Sequence, residues 1–168
     1  LIVGVVISHF YPEWMDMYGN ELSENGLKRV MKQGARVNVN YNYFYTQTGV
    51  DHASIYTGML PTEHGIVSRA WYDRLRRKRQ YSTQSDRYTE IGDQQADSIK
   101  SLSPDYLQTM SLGSAMKWNN PMSRVFSVAM NGDEAVLSGG SSADMAIWFS
   151  EKTGKWAVSY THLRAHET

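Results

Sequence analysis

Residues Thr46 to Val67 read TQTGVDHASIYTGMLPTEHGIV, and the reading of this stretch decides the fold. It packs two Thr-Gly pairs, two His, an Asp and a Pro into one window. Val50 to Thr57 has the length of a short helix, and Gly58 stands where the chain must leave it. Thr48 lies just before that helix. Thr48-Gly-Val-Asp51 fits the Ser/Thr-x-x-Asp/Glu capping pattern, in which both side chains satisfy backbone donors. The same place suits a nucleophile. Open α/β sheets set ligands at the carboxyl ends of their strands. The free N–H groups and dipole of a first helical turn favour an anion there. A Thr hydroxyl is a weak nucleophile and needs a base or a metal to activate it. The local residues leave both readings open.

Outward from this stretch, strands and helices alternate. Leu1 to Ile7, LIVGVVI, is a continuous apolar run and reads as a strand buried on both faces. From Ser23 the chain carries Leu27, Val30 and Met31 at helical spacing, with Gly34 at the cap position. Ala35 to Tyr45 has period-two character and reads as a strand. Residues 74 to 98 are polar, without a period, and read as a long loop or a partly ordered excursion. Pro104 is expected to start a helix carrying Leu107, Met110, Leu112 and Met116 on one side. Arg124 to Met130 reads as a second buried strand. DEAVLSGGSSAD, from Asp133, reads as a strand fragment and a Gly-rich turn. DMAIWFS and KWAVSY read as an antiparallel pair joined around EKTG. Strand, helix, strand is the start of an α/β unit.

Composition narrows the function classes. The chain has 168 residues, 41% of them hydrophobic, which suits one globular unit or a piece of a larger one. Lys plus Arg equals Asp plus Glu, so no global field argues for nucleic acid or an anionic membrane. There is no Cys, hence no disulfide framework and no Cys-based zinc site. LIVGVVI is too short to span a bilayer and lacks a basic flank. The chain opens on Leu1 rather than Met and reads as an excerpt. Residues 161 to 168 continue no pattern and read as fray or as a tail foreign to the natural protein, so residues 1 to 160 are taken as the N-terminal part of one domain. The basic run Arg74 to Arg79 reads as a solvated loop balanced by nearby acids, and Trp71 and Tyr72 as loop or core anchors.

TQTGVDHASIYTGMLPTEHGIV resembles the nucleophile segment of the alkaline phosphatase superfamily. It is most similar to the bacterial alkaline phosphatases with a Thr nucleophile and to the nucleotide pyrophosphatase/phosphodiesterases. The opening apolar strand, GLKRVMKQGA, WYD, SPDYLQTMSLGSAM and ADMAIWF agree in order, so the resemblance runs nearly to Tyr160. It implies an α/β/α sandwich, here incomplete. It implies two zinc ions, a small-molecule phosphoester or related ester as substrate, and a periplasmic or extracytoplasmic location. On the motif, Thr48 aligns with the nucleophile that is transiently phosphorylated and that also meets the metal, and Gly49 stands beside it in the substrate site.

Several positions depart from that pattern. Where the family has a zinc-bridging Asp after the first strand, this chain has Ser8, a poor zinc ligand. Where the exit loop often carries a phosphate-binding Asn, it has Arg69, which can bind phosphate bidentately. Where phosphomonoesterases carry Lys-x-Arg, it has Asn131 and Asp133. Asp51, one helical turn from Thr48, either replaces the lost carboxylate or caps the helix. His9, His52 and His64 read as structural or surface residues. Two functions follow: a metal-dependent phosphoester hydrolase using Thr48, or a non-catalytic member that keeps the fold without zinc.

Overall fold

The computed structural model describes residues 1–84, 102–151 and 153–159. It divides into two compact units, Leu1–Asn42 and Tyr43–Thr168. The first contains two short helices, α1 (Glu13–Tyr18) and α2 (Leu27–Gln33), neither with a buried residue. Gly34 closes α2 as expected from its position. Leu1–Ile7 and Ala35–Tyr45, both expected as strands, pair with nothing among the described residues. Leu1, Ile2, Val3 and Val5 are exposed. An apolar run becomes a strand only when neighbouring strands take its backbone groups.

The second unit is built around two helices and a sheet. Helix α3 (Thr48–Thr57) ends at Gly58, whose φ of 69° is left-handed, the conformation glycine adopts without a Cβ penalty. Helix α4 (Pro61–His64) follows, with the Glu63 carboxylate accepting the Leu60 N–H at 2.7 Å. The chain then forms a hairpin of β1 (Ala70–Asp73) and β2 (Lys78–Tyr81), paired antiparallel. The reading of residues 74 to 98 as a long loop or a partly ordered excursion does not anticipate the strand β2. Asp73 Oδ1 accepts the N–H groups of Leu75 and Arg76, which makes the turn that returns the basic run as a strand. The remainder, 85 to 98, lies outside the described residues, as does the tail from 161 to 168.

Helix α5 runs from Leu112 to Asn119, later than the expected start at Pro104. Ser111 is its cap, accepting the Ser114 N–H at 3.2 Å. Strand β3 (Phe126–Ala129), helix α6 (Gly132–Gly139) and strand β4 (Met145–Ser150) form a parallel βαβ unit. β5 (Lys155–Ser159) then pairs antiparallel with β4, as the sequence suggests. The helix α6 replaces the expected strand fragment. Asp133 and Glu134 sit in its first turn, where the dipole favours acids. Its Ala135, Val136 and Leu137 are buried.

The core joins these parts. Val50 and Ala53 of α3, Ala135 to Leu137 of α6, Ile66, and Ala146, Trp148 and Ala157 of the sheet form one cluster. Ser127 hydrogen-bonds to the Ala135 carbonyl, seating α6 on the sheet. Phe126 and Val128 point to the other side of β3 and stay exposed. Gly132 lets the start of α6 approach closely, since a Cβ there would stand 3.2 Å from the Trp148 ring and nearer still to Leu102.

Leu137 is fully buried between α3 and the sheet, so Leu137→Ala should lower stability by about 2–5 kcal/mol in urea unfolding. Gly58→Ala should cost about 1–2 kcal/mol through its left-handed φ.

Candidate functional site

Two helix starts meet at one cavity of about 550 Å³. Gln47, Thr48 and Gly49 come from the start of α3, and Asn131 to Glu134 from the start of α6. Arg69, Ser82, Leu102, Trp148 and Ser150 complete the wall. Each helix start offers unpaired backbone N–H groups and the positive end of a dipole. At α6 the first turn already carries Asp133 and Glu134. At α3 the only acid of the first turn is Asp51.

Thr48 is the first residue of α3 and Gln47 is its cap position, without a side-chain capping bond. The capping reading of Thr48 and Asp51 therefore fails on both counts. The Thr48 side chain is exposed and takes no hydrogen bond among the described residues. The Asp51 carboxylate accepts the Tyr43 hydroxyl at 2.8 Å. At Gly49 a Cβ would lie 3.3 Å from the Leu137 side chain, which would have to give by a few tenths of an ångström to admit it.

Sequence reasoning missed Gln47. Its Oε1 accepts the Arg69 N–H at 2.7 Å and the Ser68 hydroxyl at 3.2 Å. One amide thus ties the exit loop to the residue before Thr48. No motif marks it; its position beside Thr48 was the only available signal. Arg69 and Asp133, two departures from the family pattern, are brought together: Arg69 Nε lies 3.3 Å from Asp133 Oδ2. The other carboxylate oxygen of Asp133 accepts the Thr83 hydroxyl, a contact no sequence pattern announced. Asn131 is the cap residue of α6, its amide donating to Glu134 at 2.8 Å. Ser8 belongs to the Leu1–Asn42 unit, at an exposed turn beside His9, whose φ is 57°.

The two helical histidines are structural. His64 is fully buried. Its Nδ1 accepts the Ile66 N–H at 3.1 Å, so the neutral ring carries its proton on Nε2 and donates it to Ser54 Oγ at 2.9 Å. His52 Nδ1 meets Ser138 Oγ at 2.7 Å. Burial pushes both imidazoles below their usual pKa. For His52, the carboxylates of Glu134 and Asp51 oppose that shift. Asp144 differs: burial alone would raise it, but Lys117, the Val125 N–H and Arg124 hold it at about 2. Among the described residues no three His, Cys, Asp or Glu cluster as a metal site needs. The donors present do not by themselves fit a zinc pair.

The type I phosphodiesterase / nucleotide pyrophosphatase family description matches residues 2–167. The chain is 32% identical to alkaline phosphatase PafA of Elizabethkingia meningoseptica over 164 residues, covering 95% of this chain and 29% of that protein. It is 32% identical to alkaline phosphatase PhoK of a Sphingomonas species, covering 95% of this chain and 28% of the relative. The crystal structure of a four-substitution PafA variant superposes with a TM-score of 0.82 at 27% identity, over 90% of this chain and 30% of that one. The chain therefore spans under a third of the length of these relatives. At that coverage its α/β fold is an incomplete alkaline phosphatase-like fold.

Because His52 and His64 bind protons more readily when unfolded, the unfolded state takes up protons first as pH falls below about 6.5. Stability should be constant above that value and decline beneath it, and His64→Ala should flatten the decline. Thermal unfolding measured at pH 8, 6.5 and 5 checks this.

Proposed function

The chain belongs to the type I phosphodiesterase / nucleotide pyrophosphatase family, within the alkaline phosphatase superfamily, and from that premise we propose that the protein containing it is a metal-dependent phosphoester hydrolase whose nucleophile is Thr48. The observation that carries the proposal is the Thr48 hydroxyl, unbonded among the described residues at the start of α3, on the wall of a cavity it shares with Arg69. A further correspondence supports it. The PafA variant substitutes a Thr, an Asn, a Lys and an Arg, and those four positions have the spacing of Thr48, Arg69, Asn131 and Asp133. Only the Thr is retained here.

On this reading the Thr48 hydroxyl loses its proton to solvent as its oxygen attacks phosphorus, and the alkoxide that leaves with the electron pair of the broken ester bond takes a proton from water. Water then cleaves the Thr48–phosphate bond and returns the hydroxyl. The N–H groups of the first α3 turn and the Arg69 guanidinium hold the phosphoryl oxygens. A divalent metal, zinc on the family's pattern, would supply the activation that a Thr hydroxyl lacks, with further ligands from outside the described residues. Thr48 and Asp51 are the described residues that would contribute to it; Ser8, where the family has an Asp, is a weaker donor. The substrate is a small-molecule phosphoester or related ester, and the location periplasmic or extracytoplasmic. No helix among the described residues is long and apolar enough to cross a membrane.

In the full-length protein, Thr48→Ala should lower turnover of an aryl phosphoester by at least about a hundredfold. Unchanged turnover contradicts the nucleophile. Metal analysis of protein purified without chelator should find two equivalents of zinc; metal-free, inactive protein would mark a member that keeps the fold without the chemistry. The 168-residue chain on its own should be inactive, and phosphatase turnover by it would contradict the need for further ligands.

A further inference from the structure

The exit loop from Gly65 to Arg69 is tied to α3 at both ends. At its base, His64 Nδ1 accepts the Ile66 N–H at 3.1 Å, and His64 Nε2 meets Ser54 Oγ of α3 at 2.9 Å. At its tip, Gln47 Oε1 accepts the Ser68 hydroxyl at 3.2 Å and the Arg69 N–H at 2.7 Å. Gln47 is the cap position of α3, yet its side chain caps nothing. The usual cap residues are shorter and turn an oxygen back onto their own helix. The longer glutamine reaches instead to a residue 22 positions away. Its amide has one orientation. A backbone N–H is always a donor, so the oxygen faces the loop and Nε2 faces the Tyr45 hydroxyl, donating to it at 2.8 Å.

Arg69 depends on that anchor. Its side chain is 75% exposed, and an ion pair as open as the one with Asp133 holds it weakly. What is fixed about Arg69 is its backbone. Gln47 takes its N–H, and its carbonyl accepts the Ser82 N–H at 2.9 Å. Of the two anchors, Gln47 is the one bonded directly to Thr48 in the chain. Gln47, Thr48 and Arg69 all line the same cavity. The length of one amide side chain therefore sets where the root of the guanidinium stands relative to the Thr48 hydroxyl.

Resting on the proposed function, we propose that Gln47 is a positioning residue: its amide spaces Thr48 and Arg69 so that hydroxyl and guanidinium meet one ligand together. Gln47 touches no reacting atom on this account and acts through the Arg69 backbone. A misplacement of about 1 Å in a site can cost on the order of a hundredfold in rate, so loosening one tether has a measurable effect.

The test uses the full-length protein, at matched metal content, as the unsubstituted chain, Gln47→Met, Gln47→Glu, Arg69→Ala and the Gln47→Met/Arg69→Ala double variant. Gln47 is half-buried and outside the core cluster, so these variants keep the fold. Met keeps the length and removes the acceptor; Glu keeps the acceptor. Hydrogen exchange at the Arg69 amide should be at least about tenfold faster in Gln47→Met and within about threefold of the unsubstituted rate in Gln47→Glu. Equal loss of protection in both would overturn the tether. Gln47→Met should weaken inorganic phosphate binding, read by calorimetry, and lower kcat/KM for an aryl phosphoester, each by on the order of tenfold. In the Arg69→Ala background the same substitution should change either by less than about twofold. Equal losses in both backgrounds would make Gln47 a support of α3 alone and overturn the proposal, as would phosphate binding that is absent or that neither substitution alters. Full turnover in Thr48→Ala, with the Gln47–Arg69 coupling still present in phosphate binding, would refute Thr48 as nucleophile and leave the positioning role standing.

Discussion

Everything at the site depends on the packing of α3 against α6. Val50 and Ala53 meet Val136 and Leu137 in a core that also holds Ala146 and Trp148 of β4. A Cβ at Gly49 would press on the Leu137 side chain. A Cβ at Gly132 would meet Trp148 and Leu102. With those two glycines in place, the two helix starts sit on a common wall. Residues of both first turns line the same cavity. A helix start of this kind favours an anion through its free N–H groups and dipole.

The two helix starts then differ in what the side chains do with that field. Asp133 and Glu134 neutralise the start of α6, while Thr48 occupies the start of α3 with a hydroxyl bonded to nothing else described. Between them stands Arg69, anchored by Gln47 through its backbone and by Asp133 through its side chain. Where the resemblance to phosphomonoesterases leads one to expect Lys-x-Arg, this chain has Asn131 and Asp133, and a cation, Arg69, stands on the exit loop. A first turn of a helix welcomes an acid, so this difference is compatible with the fold.

Legibility in the sequence followed locality. Helix α3, its Gly58 end and the β4–β5 pair were readable because short-range pattern and tertiary role agree there. Helix α6 was not: Ala135, Val136 and Leu137 look strand-like, and only packing on α3 and the sheet makes them helical. The β1–β2 hairpin was hidden because its turn is made by Asp73 within a run of basic residues. Leu1–Ile7 and Ala35–Tyr45 carry strand patterns without strand partners among the described residues. At the site, the place of Thr48 at a helix start was legible from the motif. The Arg69–Asp133 and Gln47–Arg69 contacts were not, because each joins residues far apart in the chain whose identities depart from, or lie outside, any recognised pattern.

The central claim is that Thr48 carries the phosphoryl group. Full-length protein turning over an aryl phosphoester should be quenched in acid within the steady state, digested and examined by mass spectrometry. A phosphoryl group on the Thr48 side chain, absent from Thr48→Ala and from unreacted protein, is the predicted result. Steady turnover with the label on another residue would contradict the account.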